Sequence, residues 1–298
     1  MPSLRSRIFR LFLKRLKGRA FSGESAQEER ARINEAARRR IPLPRGITIR
    51  SVTARGVPAE WIEPAGTDPD RAILYLHGGG YILGSPDTHR GVAARLAKAC
   101  AARLLLLDYR LAPEHPFPAA LDDALAAYHW MINEGILPPR IVIGGDSAGG
   151  GLTLATSACL RDSGEPLPAA LFCISPWTDL TFSGESVRTR ADADPLLSPH
   201  GDPLENYYAG ENDPAQPLLS PLFADLRGFP PTVIHVGNDE ILLSDSTRLK
   251  ERMQDAGVEV SLVIWAGMWH VFPVFAPFIP EAQKAIDQIA AHIRAHTP

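Results

Sequence analysis

Apolar positions along this 298-residue chain change their spacing twice, and each change predicts a different kind of element. From Ser3 to Ala20, Ile8, Phe9, Leu11, Phe12, Leu13 and Leu16 recur at helical spacing among Arg5, Arg7, Arg10, Lys14, Arg15, Lys17 and Arg19, which predicts a basic amphipathic helix. Residues 24–40 predict a second, charged helix, ended by Ile41-Pro42-Leu43-Pro44, where proline disfavours helical continuation. From Gly46 the pattern turns to short β-rich runs, 47–54 and 58–63, followed by the wholly apolar Ala72-Ile-Leu-Tyr-Leu76. Thereafter strands (103–108, 141–145, 169–174, 232–236, 258–265) are interspersed with helices (near 117–134, 148–162, 244–256, 280–295). Runs such as Leu104–Leu107 and Ile141–Ile143 lack alternation, as expected of parallel strands covered by helices on both faces. The predicted class is therefore α/β, with a mostly parallel central sheet. Residues 183–222 break the rhythm: they are rich in Pro, Asp and Ser, contain Tyr207-Tyr208 and show no clear strand. A structureless loop of that length is unusual in a compact domain, so an inserted helical segment is expected.

Composition narrows the field without naming a chemistry. Hydrophobic content of 45% and charged content of 22% are those of a globular protein, and a net charge of -3 provides no global field for nucleic acid. Cys100, Cys159 and Cys173 form neither a metal-ligand spacing nor an even disulfide framework and read as buried thiols of a reducing compartment, so a cytoplasmic location is expected. Lys14 and Arg15 interrupt the apolar stretch of the first helix and no small-residue cleavage site follows, which argues against a signal peptide; no run of about eighteen apolar residues predicts a membrane span. That helix is expected either to pack over the protein's own pocket or to make weak contact with a membrane surface.

Chemistry is concentrated at a few junctions. Gly145-Asp-Ser147-Ala-Gly149 is a G-x-S-x-G pattern placed directly after one predicted strand and before a helix, the context of a nucleophile elbow. The Ser147 hydroxyl would then sit beside a helix N-terminus, whose partial positive charge favours developing negative charge. His77-Gly78-Gly79-Gly80 follows another strand and can turn backbone N–H groups toward the same point; Gly78, Gly79 and Ala148 are assigned to an oxyanion hollow. No Gly-Lys-Ser/Thr ending supports a phosphate cradle instead. Of nine histidines, His270 falls in a loop after the last strand, in the chain order Ser, acid, His, and is the expected base. The acid is expected after strand 232–236, where Asp239 and Glu240 compete and Asp245 is a distant third; neighbouring side chains diverge, so only one of the first two can face the imidazole.

Together these residues resemble the bacterial hormone-sensitive-lipase family of esterases, in the branch with a GDSAGG nucleophile segment. The resemblance runs from about Trp61 to the C-terminal helix, and its markers are His77-Gly-Gly-Gly-Tyr81, Asp108–Pro118, Gly145–Gly150, Ser175-Pro-Trp177 and the acid and His270 segments. It implies an α/β-hydrolase fold with residues 46–182 and 223–298 as catalytic domain, residues 1–45 as cap helices and 183–222 as a cap insertion. It implies a carboxylesterase acting on small-molecule esters through a serine acyl-enzyme, without metal or organic cofactor, and a homodimer. The family's acid frame places Glu240 rather than Asp239 at the catalytic position when Leu242, Asp245 and Ser246 are matched to it. Tyr81, Phe9, Phe12, Phe21, Tyr207, Tyr208, Phe272 and Phe275 are expected to line an apolar pocket for short or medium acyl chains. Two other readings stay open: an amidase or deacetylase using the same groups, and a noncatalytic ligand receptor such as the plant gibberellin receptors, which look like family members without the histidine.

Overall fold

The computed structural model describes residues 1–17, 25–40, 42–198 and 204–297. Phe21 and His200 lie outside the described residues. Eight strands, β1 (Ile47–Ala54), β2 (Val57–Pro64), β3 (Asp68–Leu76), β4 (Ala102–Leu107), β5 (Ile141–Asp146), β6 (Ala170–Ile174), β7 (Thr232–Gly237) and β8 (Val260–Trp265), form one sheet in the order β1-β2-β4-β3-β5-β6-β7-β8. β1 and β2 form a hairpin turned at Arg55-Gly56, both with positive φ, as a tight hairpin requires. β2 meets β4 antiparallel, and every pairing from β4 onward is parallel.

The apolar runs without alternation are explained by two cores, one on each face. Leu74, Leu76, Leu105, Leu107, Ile141 and Ile143 pack with α4 (Ala119–Asn133), α5 (Ala148–Asp162) and α8 (Leu243–Asp255). Their sequence neighbours Ile73, Tyr75, Leu104, Leu106 and Val142 pack on the other side with α3 (Pro86–Cys100) and α9 (Pro280–His296). Residues of these central runs are thus buried whichever way they point, as in β5 and β6, where every residue is buried.

The predicted strands fall within two residues of those observed except β3, which begins at Asp68, four residues before the apolar run that marked it. The pattern assigned no element to residues 86–100, where α3 stands. Its capping box of Ser85 with Thr88, and Pro86 in the first turn, are local start signals; burial of Val92, Ala93, Ala94, Leu96 and Ala97 together blurs the amphipathic stripe. At the chain's start, α1 (Leu4–Leu16) and α2 (Ala26–Arg40) are the two predicted helices. The 183–222 interval is less regular than expected, with only α6 (Ser186–Thr189), α7 (Leu204–Ala209) and a single 3-10 turn at Pro221–Phe223 among its described residues. No described helix is long and apolar enough to cross a membrane.

β3 runs out to β4 through α3, and the chain then returns on the other side of β3 as β5, which makes β3/β5 the switch point of the sheet. Ligand sites of open α/β sheets lie at the carboxyl ends of strands beside such a point. Leu76 is paired with Gly145 there, so His77–Gly80 and Ser147 leave neighbouring strand ends.

Candidate active site

Ser147 occupies the junction of β5 and α5 at φ 53°, ψ -120°, a conformation that costs a non-glycine residue about 1–3 kcal/mol. The strain is held by neighbours on both sides of the residue: Ser147 N–H donates to Ile174 O at 2.9 Å, and Trp177 N–H donates to Ser147 O at 2.9 Å. The flanking glycines have a steric reason. A Cβ on Gly145 would lie 2.2 Å from Leu76 O, and one on Gly149 would lie 2.0 Å from the same atom, so any side chain would push α5 off the sheet.

Two further loops converge on this serine. The loops after β7 and β8 are laced together by Asn238 N–H to Trp265 O and Asp239 N–H to Met268 O, both 2.9 Å. That lacing delivers His270, whose Nε2 lies 3.0 Å from Ser147 Oγ. On its far side, Nδ1 stands 3.5 Å from Glu240 Oε1, at the limit of a hydrogen bond. Glu240 is itself fully buried, its Oε2 accepting from Ser175 Oγ at 2.8 Å and Gly237 N–H at 2.9 Å. Burial drives both partners toward their neutral forms; for the imidazole, the hydrogen bond and charge of Glu240, with Asp194 and Asp146 more distant, outweigh burial and hold its pKa above the ordinary value. Burial leads for Glu240 and raises its pKa, with His270 opposing. Asp239, one residue away, turns outward and pairs with Arg10 of α1 at 2.5 Å.

The glycine loop departs from expectation at one position. Gly78 N–H donates to Asp146 Oδ1 at 3.1 Å, and a Cβ on Gly78 would lie 2.3 Å from Asp146 Oδ2. Its amide is therefore spent on the end of β5, which corrects its assignment to the oxyanion hollow. The amides of Gly79 and Gly80 have no backbone or side-chain partner among the described residues, and Ala148 N–H, first in α5, has none within its helix. Asp146 also accepts from Tyr75 Oη at 2.8 Å and faces His89 Nε2 at 3.3 Å. Burial opposes its charge, but His89, Tyr75 and His77 outweigh burial and hold its pKa below the ordinary carboxylate value. His77, stacked on Tyr109 at 4.2 Å, is pushed down to about 3 by burial and by His89, so it is neutral at physiological pH. Tyr109 Oη donates to His77 O at 2.6 Å and Ala112 N–H to Tyr81 O at 2.9 Å, so the Asp108–Pro118 segment braces the glycine loop.

The expected pocket aromatics scatter. Tyr81 stacks on Tyr208 of α7 at 3.5 Å, and Phe9 stacks on Trp269, next to His270, at 6.1 Å. Phe12 and Tyr207 are exposed, and Phe272 is a fully buried core residue against Trp265. No described ring contact or hydrogen bond joins these three to Ser147 or His270, because helical spacing places Phe12 on the outer side of α1 and the turn after His270 sends Phe272 inward. Two residues near the acid lacked a role in sequence. Ser175, at φ 46°, bridges Glu240 to Val271 N–H at 3.0 Å, and buried Asp194 accepts Ile241 N–H at 3.1 Å. The Ser175-Pro-Trp177 marker was the only available signal for the first; nothing distinguished Asp194 among the acids of the insertion. Among the described residues, no group of three or more His, Cys, Asp or Glu side chains is arranged to hold a metal ion.

Residues 73–274 match a family described by the alpha/beta hydrolase fold. A crystal structure of an esterase from the bacterial hormone-sensitive lipase family superposes with a TM-score of 0.95 at 41% identity, covering 100% of both chains. The chain belongs to that family. Among its relatives are an acetyl-hydrolase of Streptomyces hygroscopicus, 45% identical over 83% of this chain and 82% of that one, and an esterase of Acinetobacter venetianus, 39% identical over 82% and 81%. Membership makes this α/β-hydrolase a hydrolase of an esterase family, and places its glycine loop, elbow and His270 loop inside the matched region.

Proposed function

We propose that this α/β-hydrolase is a carboxylesterase that cleaves short- to medium-chain carboxylic esters through an acyl-enzyme on Ser147. One observation carries the reading: a single imidazole stands between the Ser147 hydroxyl and a buried carboxylate. His270 Nε2 takes the Ser147 proton as Oγ attacks the ester carbonyl, while Glu240 holds the other ring nitrogen protonated and stabilises the imidazolium without taking its proton. The carbonyl oxygen becomes an oxyanion that accepts from the Gly79, Gly80 and Ala148 amides, donors worth roughly a hundred- to a thousandfold each in rate. His270 then protonates the leaving alcohol, and water activated by the same nitrogen releases the acid. α1, α2 and the 183–222 insertion form the cap over this centre, an assignment supported by the Arg10–Asp239 pair and the Tyr81–Tyr208 stack.

Acyl length is argued from relatives. A structural relative 40% identical over 99% of both chains was soaked with p-nitrophenyl butyrate, and the Streptomyces relative is named for acetyl hydrolysis. Both favour short acyl groups. The test has two parts. A fluorophosphonate probe should label the wild-type protein and neither Ser147→Ala nor His270→Ala; equal labelling of Ser147→Ala would overturn the nucleophile. Across p-nitrophenyl esters of rising chain length, kcat/KM should peak at or below medium chains, and a preference for long-chain emulsions would refute the substrate class.

A further inference from the structure

α1 presents apolar side chains on both of its faces, and among the described residues only one face has a partner. Inward, Phe9 stacks on Trp269 and Leu13 is buried, while Ser6 Oγ donates to Glu281 Oε2 of α9. Outward, Leu4, Ile8, Leu11 and Phe12 follow the three-and-four spacing of a second stripe and are 70%, 59%, 63% and 52% exposed. Phe278, also exposed, stacks on Phe9 at 5.6 Å. Contiguous exposed apolar surface of this kind marks an interaction site rather than ordinary solvent-facing surface.

Charge identifies the occupant. Residues 1–17 hold Arg5, Arg7, Arg10, Lys14, Arg15 and Lys17 and no Asp or Glu. Arg10 and Lys17 are turned into the protein, onto Asp239 and onto the carbonyls of Ala191 and Asp194. Arg5, Arg7 and Arg15 are exposed, lie along or beside the stripe, and make no side-chain hydrogen bond or ion pair among the described residues. An apolar stripe edged by unpaired guanidinium groups is complementary to an anionic lipid surface: the stripe enters the acyl boundary while the cations meet phosphate headgroups. A second copy of this chain would instead oppose like charges across the stripe.

We propose that the outer face of α1 docks this hydrolase on anionic membranes. The inner face of the same helix grips the loops that carry Glu240 and His270, so docking holds the reacting centre beside the lipid surface where apolar esters partition. Hydrophobic depth is provided by Leu4, Ile8 and Leu11, and attraction by the three arginines.

Sedimentation with sucrose-loaded vesicles tests this on the full chain. Wild-type protein should partition onto vesicles of 30% phosphatidylglycerol in phosphatidylcholine, at least tenfold more strongly than onto pure phosphatidylcholine, and release as salt rises from low to several hundred millimolar. The double change Ile8→Ser, Leu11→Ser should cut that partitioning at least tenfold, the loss expected when two side chains of this size leave an apolar phase. Both positions are exposed, so the melting temperature and the hydrolysis of a water-soluble ester should stay at wild-type values. Arg5→Glu, Arg7→Glu, Arg15→Glu should abolish the anionic preference. Absence of partitioning by the wild type, or partitioning unaltered by both variants, would overturn the proposal. So would an oligomer by light scattering that Ile8→Ser, Leu11→Ser dissolves, because the stripe would then cover another copy. Vesicle binding is read without turnover, so its failure is distinct from a failure of the esterase reading.

Discussion

The floor of the site and the cover proposed for it are held together by different kinds of contact. Beneath Ser147, buried carboxylates do the holding: Asp146 meets Tyr75, Gly78 and His89, and Glu240 meets Ser175 and Gly237. Each buried carboxylate is paired several times over, and removing one partner leaves charge without solvent or compensation. Above, long basic side chains reach backbone carbonyls: Arg10 to Ala193, Lys14 to Asp192, Lys17 to Ala191 and Asp194. Water and salt compete for contacts of this second kind, and each contributes up to about 1 kcal/mol. The difference separates what must be rigid from what can shift: proton transfer demands fixed geometry among three groups, whereas a cover needs only to stay associated.

Asp239 and Glu240 sit on the boundary, adjacent in sequence yet one belonging to the cover and the other to the floor. The sharpest break of the comparison is therefore Glu240→Ala against Asp239→Ala. With the first, kcat on a p-nitrophenyl ester should fall by about 10³- to 10⁴-fold; with the second, it should stay within a few-fold. Similar losses for both would mean that the boundary between floor and cover is misdrawn.

A smaller effect sharpens the same line through pH. In the proposed mechanism His270 serves as base only when neutral, and its pKa is raised in the folded protein, so kcat/KM should rise with pH along a limb whose midpoint lies above the ordinary histidine value of about 6.5. Glu240→Gln removes the charge that raises it and leaves burial, which acts downward, so the midpoint should move to lower pH along with the loss in rate. A pH–rate profile whose acid limb is unmoved by Glu240→Gln would show that another group sets it.

The mildest expected change is in the cover. Arg10→Ala removes the partner of Asp239 and the contact to Ala193, both part-exposed, and thermal melting should fall by about 1–4 °C at low salt and by less at high salt. Turnover of a soluble ester should change by less than tenfold. A collapse in activity comparable to loss of Glu240 would place α1 with the floor.

The strand–helix rhythm and the elbow could be read directly because their signals are local. A strand buried on both faces must be apolar at every position, and a helix starting behind a strained serine needs glycine at Gly145 and Gly149, where Leu76 O comes within reach of any Cβ. α3 escaped notice because burial around most of its circumference erased the stripe that marks a helix. The glycine loop was legible as a donor loop, yet the sequence could not say which amides stay free. That depended on Asp146, distant in the chain, turning its carboxylate onto Gly78.

From the sequence alone came the class of fold, the serine at its bend and the histidine in the last loop, since spacing and chain order constrain them without reference to neighbours. Only the folded chain showed Glu240 facing His270 while Asp239 pairs with Arg10, showed Gly78 N–H bonded to Asp146 while the Gly79 and Gly80 amides lack a partner among the described residues, and gave Ser175 and Asp194 parts in supporting the acid loop. Those outcomes rest on contacts between residues far apart in sequence, where the direction of one side chain decides which of two neighbours is buried and which meets water.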